Sequence, residues 1–137
     1  MKFVVINPKK RTIETVDCES LIDAQTAAGL GNVDHGMLAA RLAYVVDEFG
    51  LYASPMTQSY FGIAGRLIAG VSVLYGIDEA GETTPIMKSQ VPDVTFYLGV
   101  HDVEAAIARG EVARPISSFN GKEFWRWPQP APKGMMR

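Results

Sequence analysis

The side chains best suited to acid–base chemistry lie around His35. Asp34 and His35 are adjacent, and Glu48 or Tyr44 could join them on one side of a sheet. A histidine with a carboxylate or hydroxyl nearby can transfer protons near neutral pH. The sequence therefore allows an enzyme centred on His35, with Asp34 and Glu48 as the other candidates. A structural histidine is the simpler interpretation, and we favour a role without catalysis.

The remaining nucleophile and metal-ligand candidates are few. Cys18 is the only cysteine, which excludes an internal disulfide and every zinc pattern with several cysteines. We interpret it as a partly buried residue at a helix start rather than a nucleophile. The second histidine, in the pair His101–Asp102, is expected to cap a helix. The two histidines lack any local ligand spacing, so we predict no metal and no cofactor.

Standard nucleotide and hydrolase motifs are absent. The glycines between positions 62 and 70 form neither Gly-x-Gly-x-x-Gly nor a Gly-Lys-Ser/Thr loop, and no serine lies in a Gly-x-Ser-x-Gly turn. A small nucleotide signal could still be bound at an oligomer interface. Arg41 or Arg66 would supply the charge, and an aromatic such as Tyr60 would contact the base.

Aromatic residues crowd the C-terminal region. Phe119, Phe124, Trp125 and Trp127 lie within nine positions, with Arg126 between the tryptophans. Tryptophan and arginine are enriched among the residues that dominate protein interfaces. Trp125, Arg126 and Trp127 are therefore our candidates for binding a protein partner or a second copy of the chain. The alternative is that both tryptophans cover the protein's own core.

Composition narrows the class of protein. The net charge is −2 and the pI is near 5.6, whereas proteins that bind nucleic acid are usually basic. We therefore do not expect nucleic acid to be the partner. The basic run 9–11 is interpreted as a solvated turn. No stretch approaches the ~20 apolar residues that cross a bilayer, and residues 3–6 are too short for a signal peptide. We expect no membrane association and a cytoplasmic protein of a bacterial host cell.

Length and patterning predict one domain over residues 1–128 and a flexible tail over 129–137. Phe3–Ile6 and the alternating Thr12–Val16 predict an opening hairpin. Asp17 is expected to cap a helix over 21–28 that ends at glycines 29 and 31.

The segment Gly36–Phe49 fits both helical and strand periodicity. We favour a strand over Leu42–Val46, because a turn-like Asp-Glu-Phe-Gly sequence follows it. Helix remains the alternative.

Further along the chain, Tyr60–Ile63 and Leu67–Ile77 are rich in β-branched and aromatic residues and predict strands. Thr83–Met87 is the expected return strand of a second hairpin. Val94–Leu98 predicts another strand, followed by a helix over Val103–Ile107 that Gly110 ends.

Asn120-Gly121 favours a type I′ turn, so strands 116–119 and 122–127 predict a third hairpin. Hairpins with two short helices do not alternate as a parallel α/β sheet does. The predicted fold class is therefore α+β, mainly an antiparallel β-sheet built from hairpins.

The chain also resembles small uncharacterised proteins of bacteriophages and other bacterial mobile elements. The resemblance lies in Lys2–Pro8, Val45–Leu51, Ile68–Gly70 continuing through Gly76–Thr83, and Leu98–Trp127. It implies an α+β fold and a mobile-element context, and it carries over no activity and no functional residues. The leading hypothesis is an accessory protein that binds a host factor, for example to inhibit a host defence component.

Overall fold

The computed structural model describes residues 1–47 and 58–113, and the strands 116–119 and 122–126. These residues form eleven strands, two α-helices and one 3₁₀-helix over Lys88–Gln90. The strands are β1 (Lys2–Asn7), β2 (Thr12–Asp17), β3 (Val33–Ala39), β4 (Leu42–Asp47), β5 (Tyr60–Ile63), β6 (Arg66–Ala69), β7 (Ser72–Ile77), β8 (Thr83–Thr84), β9 (Val94–Tyr97), β10 (Ile116–Phe119) and β11 (Lys122–Arg126). The helices are α1 (Leu21–Ala27) and α2 (Val100–Ala108).

The larger sheet has six antiparallel strands in the order β2-β1-β7-β4-β3, with β8 paired to β7. The predicted opening hairpin is confirmed as β1–β2, paired from Lys2↔Asp17 to Asn7↔Thr12. The strand over Leu42–Val46 is confirmed as β4. The sequence did not reveal β3, which pairs with β4 as a second hairpin.

Strand β7 separates two hairpins that are distant in sequence. It lies between β1 and β4, and its first five residues are buried. The stretch Leu67–Ile77, which was predicted to be β-strand, is therefore divided into two strands in different sheets. Gly70 has a left-handed φ of 77°, and the chain crosses there from the smaller sheet into the larger one. Because a left-handed residue interrupts the extended backbone, the segment forms two strands, β6 and β7.

The return strand expected over Thr83–Met87 is confirmed only as the two residues of β8. Proline lacks the N–H that a further ladder bond requires, so Pro85 ends the pairing. The next residue, Ile86, donates its N–H to the Lys2 carbonyl at 3.0 Å. The segment after β8 thus leaves β7 and joins the end of β1.

The smaller sheet has three antiparallel strands in the order β6-β5-β9. One face packs against the larger sheet, where Phe61, Ile63 and Ile68 meet Val4 and Leu74. The other face packs against α2 through a second cluster of side chains. Its buried members are Tyr60, Leu67, Ala69, Val103, Ala106 and Val112.

Helix α1 covers the outer face of the larger sheet, where Ala24 packs with Phe3, Val45 and Val73. The described core therefore has four layers: α1, the larger sheet, the smaller sheet and α2. Both predicted helices are confirmed, and the fold class is α+β with mostly antiparallel strands, as expected from the sequence. Neither helix of the described residues is long and apolar enough to cross a membrane.

The predicted cap of α1 is wrong. Ser20 is the N-cap, and its hydroxyl accepts the Asp23 N–H at 3.2 Å. Asp17 instead ends β2, where it accepts from the Met1 ammonium at 2.9 Å and lies 3.6 Å from Lys2 Nζ. The ammonium holds the pKa of Asp17 below its usual range, with Lys2 adding a smaller effect. Since Asp17 is paired along β2, it cannot turn toward the helix.

The third hairpin is confirmed as β10 and β11, which pair antiparallel with an irregularity between Ser117 and Ser118. They form a two-stranded sheet of their own. The expected type I′ turn at 120–121 and the tail over 129–137 lie outside the described residues, so they stay predictions. The single domain over 1–128 also stays a prediction.

The tight turn between β5 and β6 contains an alanine with a left-handed backbone conformation. Ala64 and Gly65 are the two residues between Ile63 and Arg66, with φ of 49° and 76°, as in a type I′ turn. Left-handed backbone strains alanine by about 1 kcal/mol, whereas asparagine tolerates it better. We predict that Ala64→Asn raises the free energy of unfolding by about 0.5–1 kcal/mol, measured by urea denaturation.

The matched control for that change is Ala80→Asn, because Ala80 is also exposed in a turn but does not have a positive φ. It should change stability by less than about 0.5 kcal/mol. Equal effects of the two substitutions would contradict the explanation from backbone strain.

Candidate functional site

His35 lies on β3 at the edge of the larger sheet, and its side chain is exposed. Its Nδ1 is 3.0 Å from the Tyr75 hydroxyl, and the two rings meet edge to face with centroids 6.1 Å apart. Burial raises the pKa of Tyr75. The tyrosine therefore stays a neutral hydroxyl that fixes the imidazole, and the geometry is that of a positioned histidine.

The other residues proposed around His35 do not gather there. Side chains alternate between the two faces of a strand, so Asp34 lies on the face opposite His35. Tyr44 is paired with Gly36 and packs into the core between the sheets, which is also the face opposite His35. Glu48 lies outside the described residues. The partner of His35 is thus Tyr75, from a strand 40 positions away.

The residues proposed for a nucleotide signal are also separated. Tyr60 is only 2 % exposed and is packed beneath α2, so its ring offers no exposed surface for stacking. Burial raises the pKa of Tyr60 strongly. Arg66 is exposed at the start of β6. Arg41 lies in the β3–β4 turn, in the other sheet.

Arg41 borders a cavity of about 300 Å³. This volume is at the lower end of small-molecule pockets. The lining combines the β3–β4 turn with the end of β7, Asp78 and the segment from Thr84 to Pro92. Arg41 has a left-handed φ of 67°, and its guanidinium pairs with Glu79 at 2.7 Å. Both side chains are largely exposed, so solvent weakens this pair.

A smaller cavity of about 160 Å³ lies between the smaller sheet and the segment after α2. The Tyr97 hydroxyl is buried there and has no hydrogen-bond partner among the described residues. A Cβ on Gly62 would lie 2.7 Å from that hydroxyl, so glycine is required for the ring's position. Burial, and then the Glu111 carboxylate, raise the pKa of Tyr97.

Trp125 and Arg126 belong to β11, where Trp125 pairs with Ser117 and Arg126 with Ile116. Trp127 lies outside the described residues. Within the described part of the chain, β10 and β11 pair only with each other. Trp125 and Arg126 therefore lie on a hairpin that does not pair with a strand of either of the other two sheets.

The expected capping of a helix by His101 is wrong, because Gly99 is the N-cap of α2 and no side chain bonds to that cap. Asp102 lies in the first turn of α2, and its carboxylate accepts the Leu98 N–H at 3.2 Å. Cys18 is half-buried against the cluster beneath α1. Among the described residues, no group of three or more histidine, cysteine, aspartate or glutamate side chains could hold a metal ion.

Comparison with protein-family models, with curated proteins and with solved structures finds no match for this chain. The resemblance to phage and mobile-element proteins therefore stays a prediction.

Sequence reasoning missed Tyr75 as the partner of His35. Tyr75 lies in an apolar run that reads as core, and it is indeed only 7 % exposed. Only the pairing of β4 between β3 and β7 brings it near His35. No local pattern in the sequence carries that information.

The buried tyrosines predict a loss of stability in alkali. Burial raises the pKa values of Tyr60, Tyr75 and Tyr97 in the folded protein, whereas the unfolded chain ionises near pH 10. Above about pH 10 the unfolded state therefore binds fewer protons than the folded state, and stability falls as pH rises. Each fully shifted tyrosine contributes up to about 1.4 kcal/mol per pH unit.

Urea denaturation across that pH range measures the slope. Tyr60→Phe should give a shallower slope than the unchanged protein, whatever its stability at neutral pH. An identical slope in both proteins would contradict the assignment to Tyr60.

Proposed function

We propose that this protein acts by binding another protein, as an accessory protein of a phage or mobile element that binds a host factor. The observation that carries the proposal is the separate hairpin β10–β11. An isolated two-stranded hairpin is at best marginally stable in water, so such an element gains from a third strand or an apolar surface. A partner protein can supply either one.

The residue types of the hairpin support this role. Its nine strand residues include Phe119, Phe124, Trp125 and Arg126. Aromatic residues and arginine contribute most of the binding energy at many protein interfaces. Both strands also have an edge that no described strand occupies. Strand addition by a partner would use backbone hydrogen bonds for affinity and side chains for specificity.

The mobile-element context that we propose would narrow the kind of partner. A small accessory protein that obstructs a host defence component needs a binding surface and no chemistry of its own. Within the described part of the chain, no carboxylate is hydrogen-bonded to the His35–Tyr75 pair. The proposed function therefore assigns binding to the hairpin and no catalytic step to His35.

The test is affinity capture of the full chain from a bacterial host lysate, followed by purification of the partner and measurement of the Kd. We predict that Trp125→Ala raises the Kd by about thirtyfold, because truncation of an interface hot spot costs at least ~2 kcal/mol. Circular dichroism would check that the variant is folded.

Leu98→Ala is the matched control, since Leu98 is 72 % exposed and lies at the β9–α2 junction. It should leave the Kd unchanged. The proposal fails if no partner exceeds background, or if both substitutions weaken binding equally.

A second candidate function is binding of a small anionic ligand, such as a nucleotide signal, in the Arg41 cavity. It is favoured by the 300 Å³ volume and by the guanidinium at its border. Tyr60 has no part in this version, because it is buried in another layer.

Thermal-shift measurements with a panel of nucleotides test this candidate. A ligand at a hundred times its Kd stabilises the protein by about 2.7 kcal/mol. We predict that Arg41→Gln abolishes the shift and that Arg66→Gln, at an exposed site of the other sheet, preserves it. No shift with any nucleotide, or an equal loss in both variants, would exclude the Arg41 cavity as the site.

A further inference from the structure

The outer edge of β3 is the least protected strand edge of the larger sheet. This seven-residue strand ends the sheet, and no strand of the described residues pairs with its outer side. Every second residue of such a strand turns its N–H and C=O away from the sheet. Proteins usually guard open edges with lysine, proline or charged side chains. The only charged residue of β3 is Asp34, and the strand also carries the exposed apolar side chain of Met37 on its other face.

The opposite edge of the same sheet differs. Strand β2 exposes Glu14 and Asp17, and the turn before it carries Lys9, Lys10 and Arg11. These charges oppose the addition of another strand. As far as the described residues show, one edge of the sheet is therefore guarded by charges, and the other has neither a paired strand nor a comparable set of charges.

A hydroxyl also reaches the open edge. A Cβ on Gly36 would lie 2.5 Å from the Tyr44 hydroxyl oxygen, so the Tyr44 ring extends across β3 in the space that glycine leaves. Tyr44 and Asp34 lie on the same face of the sheet. Within the described part of the chain, neither the Tyr44 hydroxyl nor the Asp34 carboxylate has a partner. The Tyr44 hydroxyl, a possible donor, thus lies over Gly36, and the Asp34 carboxylate, a possible acceptor, is two positions away on the same strand.

We propose that β3 pairs antiparallel with β3 of a second copy of this chain, about a two-fold axis at His35. This register uses Val33–Met37, the regular part of the strand, because the ladder to β4 is irregular between Met37 and Ala39. The proposed dimer does not involve the hairpin β10–β11, which is proposed above to bind another protein.

The register is self-complementary. It places Val33 opposite Met37 of the second copy, which gives two apolar cross-strand contacts by symmetry. It places Asp34 opposite Gly36 of the second copy, so no two acidic side chains oppose each other. The Cβ atoms of opposite residues are about 5 Å apart, and the Asp34 carboxylate can therefore accept a hydrogen bond from the Tyr44 hydroxyl across the interface.

Two-fold pairing also closes the assembly. The two larger sheets join edge to edge, and a guarded β2 then lies at each end. An interface that uses the same patch on both copies leaves no free edge for a third. The pairing therefore predicts a dimer rather than a growing fibre.

The test is sedimentation velocity of the full chain over a concentration series. The unchanged protein should form a dimer of two 14.9 kDa chains. Met37→Lys places a charge on the open edge and should give a monomer with unchanged circular dichroism. Leu98→Lys is the matched control, because it adds the same charge at another exposed apolar residue, and it should remain a dimer.

Tyr44→Phe tests the predicted hydrogen bond and should raise the dimer dissociation constant at least about tenfold. Asp34→Asn should also raise it, and the double variant should show less than the sum of the two effects. Amide hydrogen exchange should slow in β3, and not in β2, as the protein concentration rises. A monomer at every concentration, or a dimer that survives both Met37→Lys and Tyr44→Phe, would overturn the proposal.

Discussion

The central position of β7 is the constraint on which the rest of this structure depends. It lies between β1 and β4, and Leu74 and Val73 point into the core on its two sides. The hairpins β1–β2 and β3–β4 are each local, but neither contacts the other as a neighbouring strand. Removal of β7 would separate them and expose the apolar faces that α1 and the smaller sheet cover.

Strand β7 also supplies the side chain that contacts His35. Tyr75 reaches the imidazole because β4, the only strand between β3 and β7, presents Ala43 and Val45 on that face. Small and medium side chains leave room for the tyrosine ring to cross toward the edge. Likewise, Gly76 accommodates β8, since a Cβ there would lie within 3.0 Å of the Thr84 and Pro85 carbonyl oxygens. Packing around β7 thus positions both the edge residue and the lining of the Arg41 cavity.

The molecule separates its stable core from its candidate binding elements. The four layers bury the large apolar side chains, and the only buried polar residue in the described core, Ser72, donates to the Val45 carbonyl at 3.0 Å. The outer edge of β3 ends the larger sheet, and the hairpin β10–β11 forms a two-stranded sheet of its own. Elements that bind partners are often drawn from the less stable parts of a fold, because they need unpaired groups that a core does not tolerate.

The sequence by itself determined the elements whose causes are local. Alternation and turn residues predicted β1–β2, β5 and the hairpin β10–β11, and periodicity with glycine stops predicted both helices. It did not reveal β3, because Gly36 and the exposed Asp34 and His35 give no apolar alternation. The division of Leu67–Ile77 at Gly70, and the pair His35–Tyr75, were decided only by the tertiary structure. These features depend on strands that meet across 40 positions or on the two sheets packing together, and short-range patterns do not record such long-range contacts.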